Sequence, residues 1–484
     1  MLIFRKVVFY IFVVAYVVLC PLTILYALGY VVRPGVEQGI VRTGLISLST
    51  TPPGATVFVC NRRYARKTPT VLRNLLPGAY PVRLTLKHYQ TWSQVLPVVA
   101  ERAAALERIL LIPKSWRPMV LVERAFEDLV PVPNTEFFLL RDGPRVQDYA
   151  IYDWRAERLR PLVVDASLAA SAKVLAVHTV RDSPSVLMRL DGREGDEYLW
   201  VELRGKQASL AVTNLFQRKP LRVAWDPHEE TLLFALESGH LNRLQVTSGK
   251  VMRGVVEGVR GYGLFNKRLY VLDEANVFRR MSLEGTSPEV LLNDPELSRT
   301  LFRGKGTYAV EVLSEELMVF LGERGELVAN RLPYRLVEEG VRGLEVDAER
   351  KRLLLWTGER LGVLDFSLNG RKADGVFQKG PTLSWVQTEG RNLEQACWVY
   401  GDSHALVRDE DTVSLIELDG YGIPHVDDVV RVKRHSSIIY QEDSGMLYYL
   451  DRLTGTLSAI EIVPRRAPGL PAVADQWVGQ TRGR

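Results

Sequence analysis

The chain passes through three hydrophobic rhythms, and each predicts a different kind of element. From Val7 to Val32, directly after Arg5-Lys6, 26 residues carry no charged side chain. The run is apolar on every side rather than striped, which predicts a transmembrane helix and not an amphipathic helix packed on a core. At about 1.5 Å per residue such a helix reaches roughly 39 Å, more than the roughly 30 Å of bilayer hydrocarbon, so it spans with some tilt. After a linker over residues 33–43, with Pro34, Gly35 and Gly39, the rhythm turns to period two. Leu45-Ile46-Ser47-Leu48-Ser49-Thr50 alternates, Pro52-Pro53-Gly54 turns, and Ala55-Thr56-Val57-Phe58-Val59 alternates again. That pattern predicts strands with one buried face. From residue 114 onward a third rhythm restarts about every 40–50 residues: a β-rich segment, a Gly, Asp or Asn turn, another β-rich segment. No long amphipathic helix interrupts it.

The flanks of the apolar run predict its orientation. Arg5, Lys6 and the amino terminus precede it, and basic residues beside a span stay on the cytoplasmic side. Residues 1–6 are therefore expected in the cytoplasm and the body outside, in a single-pass signal-anchor arrangement at the inner membrane. Two other readings stand beside this one. Ala27-Leu28-Gly29 mimics a cleavage site, although a cleaved leader has a much shorter apolar region. The body facing the cytoplasm is the other.

Between residues 44 and 113 the punctuation follows a recognisable order. Pro52-Pro53-Gly54-Ala55 comes first, then Thr68-Pro69, then Leu76-Pro77-Gly78-Ala79-Tyr80, with Tyr89 closing the next strand. This order resembles a PEGA domain, a small β-sandwich often found in envelope-exposed parts of bacterial proteins. Pro53 stands where the family's name has glutamate. Two other departures are Cys60-Asn61-Arg62-Arg63, where an Asp-Gly hairpin is common, and His88, where glycine usually precedes the aromatic. Independently of any family, Gly54 and Gly78 permit turns a side chain resists, and Pro53 and Pro77 suit loops or sheet edges. Tyr80, Tyr89 and Trp92 are expected in the sandwich core.

The repeats that follow have one clear unit. Leu221 to His228, with Trp225-Asp226-Pro227, runs into Leu232-Leu233-Phe234-Ala235-Leu236, turns at Ser238-Gly239, and continues from Leu241 to Val246 before Ser248-Gly249. This resembles a blade of a β-propeller of the WD40-like or Tol type, without the strict Gly-His and Trp-Asp pairs. Starts can be drawn near residues 125, 172, 220, 258, 299, 341, 382 and 427, a spacing of about 42 residues. The expected fold class is all-β with one N-terminal transmembrane helix: a PEGA-type β-sandwich over 44–113 and a propeller over 114–463. Eight blades fit best, with seven as the alternative. Residues 464–484 are expected to form a flexible tail.

Composition adds a polarity to this plan. The 484 residues are 46% hydrophobic and 25% charged, which is ordinary folded usage. Residues 45–113 carry nine basic side chains against Glu101 and Glu107, a net +7, whereas residues 114–463 carry a net −8. The cluster Arg62, Arg63, Arg66 and Lys67, held near the bilayer by a short linker, is expected to lean on anionic lipid or another envelope polyanion. A solvated strand with no ligand is the bland reading of the same residues.

Catalytic chemistry finds little footing. The seven histidines form no metal-ligand spacing, and Cys20, Cys60 and Cys397 offer neither a zinc pair nor a disulfide framework. No Gly-x-Ser-x-Gly elbow, P-loop or dinucleotide fingerprint appears. No metal, cofactor, catalytic residue or nucleic-acid partner is assigned. Carboxylates are clustered at Asp427-Asp428, at Asp409-Glu410-Asp411 and around Asp191, Glu194, Asp196 and Glu197, and solvated turns explain them. The expected function is a membrane-tethered, extracytoplasmic binding or scaffold protein of the bacterial cell envelope, whose propeller docks a protein or glycan. The alternative is an envelope polysaccharide hydrolase or lyase using carboxylates in the propeller funnel.

Overall fold

Apolar residues around one helix leave it nothing to pack against, and the first element has that character. The computed structural model describes residues 2–27, 30–32, 40–100, 102–164, 171–192, 194–204, 209–292, 302, 306–330, 336–366, 370–371, 377–378, 382–386, 392–418 and 424–464. Helix α1 covers Leu2–Ala27, 26 residues, with Pro21 inside it. Phe9, Phe12 and Tyr16 are each more than 60% exposed. Among the described residues no helix is long and apolar enough to cross a membrane, and the side chains of α1 are described without a break only from Val8 to Pro21.

The helical bounds differ from the expected 7–32. The helix starts earlier because Arg5 and Lys6 are good helix formers. It stops sooner because Tyr30, Val31 and Val32 favour a strand. Tyr30–Val32 pairs antiparallel with Ile40–Arg42, Tyr30 opposite Arg42, so part of the expected linker is a β-ladder. Pro34, Gly35 and Gly39, and the expected tail from residue 465 on, lie outside the described residues.

The chain divides into two compact units, residues 1–116 with 419–423 and 463–484, and residues 117–418 with 424–462. In the first, two sheets face each other. One has the order Thr70–Leu75, Gly44–Thr51, Ala103–Leu110, its last two strands parallel. The other has the order Arg62–Lys67, Thr56–Val59, Gly78–Thr85, Trp92–Val98. Alternation does what period two requires: Ile46 and Leu48 meet Val57, Val82, Leu84, Trp92 and Leu96 in one buried layer, with Tyr80 and Tyr89 at its margin.

The second unit is a β-propeller. Its four-stranded antiparallel sheets begin at the inner strands Asp128–Pro131, Lys173–Thr179, Arg222–Trp225, Val259–Phe265, Tyr308–Val312, Gly343–Val346, Leu393–Val399 and Ile439–Gln441. We call these the first to eighth sheets. The fourth and fifth are joined by a short parallel contact, Gly261 opposite Tyr308. In seven sheets the chain supplies four strands in order; the eighth has three, and Met119–Ala125 completes it by pairing with Thr456–Glu461. The beginning and end of the unit are thereby one sheet.

Cores lie between consecutive sheets, not within one. Phe137, Leu139 and Ile151 of the first meet Val186, Met188 and Leu199 of the second. Leu187 and Trp200 of the second meet Trp225 and Leu233 of the third. The same handover continues through Phe234 with Tyr262, Leu272 with Phe320, Val319 with Leu355, and Trp356 with Trp398. Phe138, Leu140 and Tyr152 of the first pack on Tyr448, Leu450 and Leu457 of the eighth, and the Gln395 amide joins seventh to eighth by donating to the Ile438 carbonyl at 2.8 Å.

The expected repeat start near 299 lies outside the described residues, the fifth sheet opening at Tyr308, and those near 382 and 427 move. Thr382–Val386 pairs with Leu361–Asp365 as the outer strand of the sixth sheet, and Val426–Arg431 is the outer strand of the seventh. Spacing misassigned them because residues 366–381 lengthen the connection within the sixth sheet beyond a tight turn, pushing the true starts to Leu393 and Ile439.

The seam between first and last sheets yields a test. Phe138 has no exposed surface and its ring lies 5.0 Å from Tyr152 and 5.4 Å from Tyr448. Phe138→Ala should destabilise the propeller by about 3–5 kcal/mol. Val120→Ser, on the far strand of the same seam at 58% exposure, should change stability by less than about 0.5 kcal/mol. Denaturant unfolding followed by tryptophan fluorescence compares the two.

Candidate functional site

The PEGA motif residues converge on a structural latch. Gly54, at φ +92°, takes a conformation that side chains resist, and its N–H donates to the Thr68 carbonyl at 2.8 Å. The Thr68 N–H returns the bond to Ala55 at 3.0 Å. The Thr68 hydroxyl, buried, accepts from the Ala55 N–H at 2.9 Å and donates to the Thr50 hydroxyl at 2.6 Å, whose own proton goes to Pro52. Pro52 and Pro69 both follow cis peptide bonds, and the Pro52 carbonyl accepts from the Thr50 hydroxyl at 2.8 Å. Pro53 stands between Pro52 and Gly54 in this turn. Pro77 and Gly78 lie apart from the latch at the start of Gly78–Thr85, on which Tyr80 sits opposite Leu96. The first part of the motif, Pro52 to Ala55 with Thr68, therefore pins together the turns that join the two sheets.

The four basic residues lie on the edge strand Arg62–Lys67, all exposed. The structure does not gather them on one face. Arg63 stands opposite Phe58 and Lys67 opposite Thr56, on the side away from the core; Arg62 stands opposite Val59, whose side chain packs toward the core; Arg66 falls where the register slips. A fifth cation that the sequence reading left unassigned joins the outward pair. Arg83 is also opposite Phe58, from the other neighbouring strand, with its guanidinium carbon 4.7 Å from the ring centroid. The signal was present in the sequence: no Asp or Glu occurs between Glu37 and Glu101.

In the propeller, two of the carboxylate clusters seen in sequence, Asp409-Glu410-Asp411 and Asp427-Asp428, lie on the seventh sheet, and the third is on the second sheet. Asp427 and Asp428 are on the outer strand of the seventh sheet, and Asp196 is paired with Arg189 at 3.7 Å on the second. Asp411 sits under Arg431 at 3.1 Å and Arg452 at 3.2 Å, binding the seventh sheet to a turn of the eighth; these guanidinium groups hold its carboxyl below the usual range despite burial that pushes it up. The carboxylates near the propeller axis are different ones. Glu345 is on the inner strand of the sixth sheet, where burial pushes it up to about 7 against the pull of the Arg181 guanidinium. Asp402, beyond the inner strand of the seventh, is likewise pushed up by burial, with Arg352 opposing. Arg181 belongs to the second sheet, yet its guanidinium approaches the Val346 carbonyl of the sixth at 3.5 Å. Second and sixth are far apart in the succession of sheets, so this contact crosses the axis. Among the described residues no group of three or more His, Cys, Asp or Glu side chains is placed to hold a metal.

Compared with known proteins, residues 43–109 match the PEGA domain family. No curated protein matches the chain in sequence. Among solved structures, the β-propeller domain of Cps50 (Swd1) from Myceliophteria thermophila aligns at TM-score 0.40 and 10% identity over 71% of this chain and 99% of that one. The computationally designed protein Ika8 aligns at TM-score 0.41 and 9% identity, covering 70% and 98%. PorZ, a surface component of the type-IX secretion system of Porphyromonas gingivalis, aligns at TM-score 0.38 and 12% identity, covering 69% and 42%. At that level of likeness none of the three bears on function, and the propeller rests on the chain's own strand pairing.

Two tests follow from these sites. Thr68→Val keeps the shape but removes the hydroxyl that serves Ala55 and Thr50, and should cost about 1–3 kcal/mol of PEGA-domain stability; loss of amide protection at Ala55 in hydrogen exchange reports it locally. The second is pH dependence. Glu345 keeps its proton to about 7 when folded against an ordinary 4.5, so its contribution is full below 4.5 and is lost as pH rises through 7. His404 runs the other way: burial, with His425 adding, holds it down to about 3 against an ordinary 6.5, so stability drains as pH falls below 6.5. Glu345→Gln should therefore stabilise by on the order of 2 kcal/mol at pH 8 and not at pH 4, while His404→Asn should flatten the loss between pH 6.5 and 4, both read by urea unfolding.

Proposed function

We propose that the chain is a membrane-tethered binding or scaffold protein of the bacterial cell envelope: α1 is the anchor, the PEGA domain follows it outside the cytoplasm, and an eight-bladed propeller docks a protein or glycan partner. The anchor is supported by an apolar helix of 26 residues whose described side chains are exposed nearly all round. A helix with that surface is stable where lipid covers it. The blade number is supported by the eight inner strands and by the pairing that makes first and last sheets neighbours.

The observation that carries docking over catalysis is Arg181 crossing the axis. A funnel hydrolase needs two carboxylates with room between them for a sugar ring and water. Here Glu345 has a guanidinium beside it, and the same arginine reaches the opposite inner strand. The rims and outer strands are then the surfaces left for recognition, as in scaffolds that present loops from a rigid frame.

Crosslinking in the native cell, followed by identification of the captured species, tests this reading. A discrete protein or glycan captured through propeller-rim residues is the expected result, and capture through the PEGA domain alone would sink it. Topology is tested by protease on cells stripped of any outer barrier. The propeller should be cut before lysis; protection until lysis would overturn the outward orientation.

A further inference from the structure

We propose that the outward face of the PEGA domain's four-stranded sheet seats on an anionic lipid surface, with Arg63, Lys67 and Arg83 meeting headgroup phosphates and Phe58, Pro81 and Val95 resting on the interfacial layer. This rests on α1 as the anchor, because the tether keeps the domain within reach of the bilayer. Register selects the residues. Val57, Val82, Leu84 and Leu96 turn into the core, so their neighbours turn out. Arg63, Phe58, Arg83 and Ser93 stand opposite one another in a row across the four strands. Lys67 lies with Thr56 on one side of that row, and Pro81 with Val95 on the other.

Three features of this face point to lipid. First, the four strands hold no Asp or Glu, and none occurs anywhere in residues 38–100. The field of the three cations therefore meets no carboxylate on its own sheet and is directed outward. Second, Arg83 lies over the Phe58 ring, so an aromatic surface braces a guanidinium on the face. Third, Val95 is 52% exposed beside Pro81, which is also exposed. A soluble polyanion gains nothing from those apolar groups, whereas a bilayer interface accepts both them and the cations. Each basic residue near an anionic surface is worth roughly fivefold in affinity, which screening by salt removes.

Cys60 supplies the reporter. It is exposed in the turn between Thr56–Val59 and Arg62–Lys67, at the margin of the face. In a Cys20→Ser background the full chain is labelled there with a fluorophore, Cys397 being half-buried with its thiol pushed well above the usual range by burial. It is then placed in nanodiscs of phosphatidylcholine alone or with phosphatidylglycerol added, both carrying headgroup-spin-labelled lipid. Quenching should rise roughly threefold with phosphatidylglycerol, fall back at high salt, and be lost in Arg63→Glu/Arg83→Glu. Arg63→Gln/Arg83→Gln, which adds no repulsion, should lose most of it. Equal quenching in both discs, or a wild-type response in the charge variants, overturns the inference. If the chain leaves neutral discs altogether, the anchor reading fails; phosphatidylglycerol-selective quenching that the same variants abolish would then still uphold the lipid-binding face.

Discussion

The pairing of Met119–Ala125 with Thr456–Glu461 is the constraint on which the propeller depends. A succession of sheets that pack only on their neighbours has two raw ends, each exposing an apolar face and an unpaired edge. Here the strand nearest the start completes the sheet nearest the end, Met119 opposite Ala459 and Ala125 opposite Thr456. Surrounding bonds reinforce the joint: the Phe126 N–H donates to the Gly455 carbonyl at 2.9 Å, and the Lys433 ammonium donates to the Phe126 carbonyl at 2.7 Å. Every interleaved core from Phe137 to Tyr448 is buried on both sides because this one joint leaves no terminal sheet.

A ring closed in this way is a rigid frame, and the polar groups it encloses follow from that. Arg181 reaches a strand that packing holds in place, and Glu345 is half-buried between the same walls. The carboxyl is pushed toward neutrality as a consequence of architecture, which is the effect expected of any acid in such a site. Perturbed groups of this sort often mark active sites. In this propeller the Arg181 guanidinium opposes that push.

The PEGA domain uses a different economy of means. Its small core is one layer between two sheets, and the turns that join the sheets are pinned by hydroxyl and backbone bonds at Thr50, Ala55 and Thr68. The residues most distinctive in sequence are thus spent on holding the domain together. Its outward face is left to residues that no motif records, Phe58, Arg63 and Arg83, brought together only by the register of three strands.

Much of this protein was legible in its sequence because the forces involved are local or periodic. Period two in Leu45–Val59 fixed which side chains are buried in the sandwich, Gly54 and Gly78 fixed turns, and the recurrence of strand, turn and strand fixed a propeller. What stayed hidden depends on partners distant along the chain. That Thr382–Val386 and Val426–Arg431 close one sheet rather than open the next is set by hydrogen bonding to strands already formed. That Arg63 and Arg83 flank one phenylalanine is set by the pairing of both their strands with Thr56–Val59. That Arg181 reaches the sixth sheet follows from ring closure over hundreds of residues. The sequence by itself determined the elements and their buried faces, since those follow from the periodicity of neighbouring residues; tertiary structure alone decided which edges pair and which charges meet, since both require the whole ring to have closed.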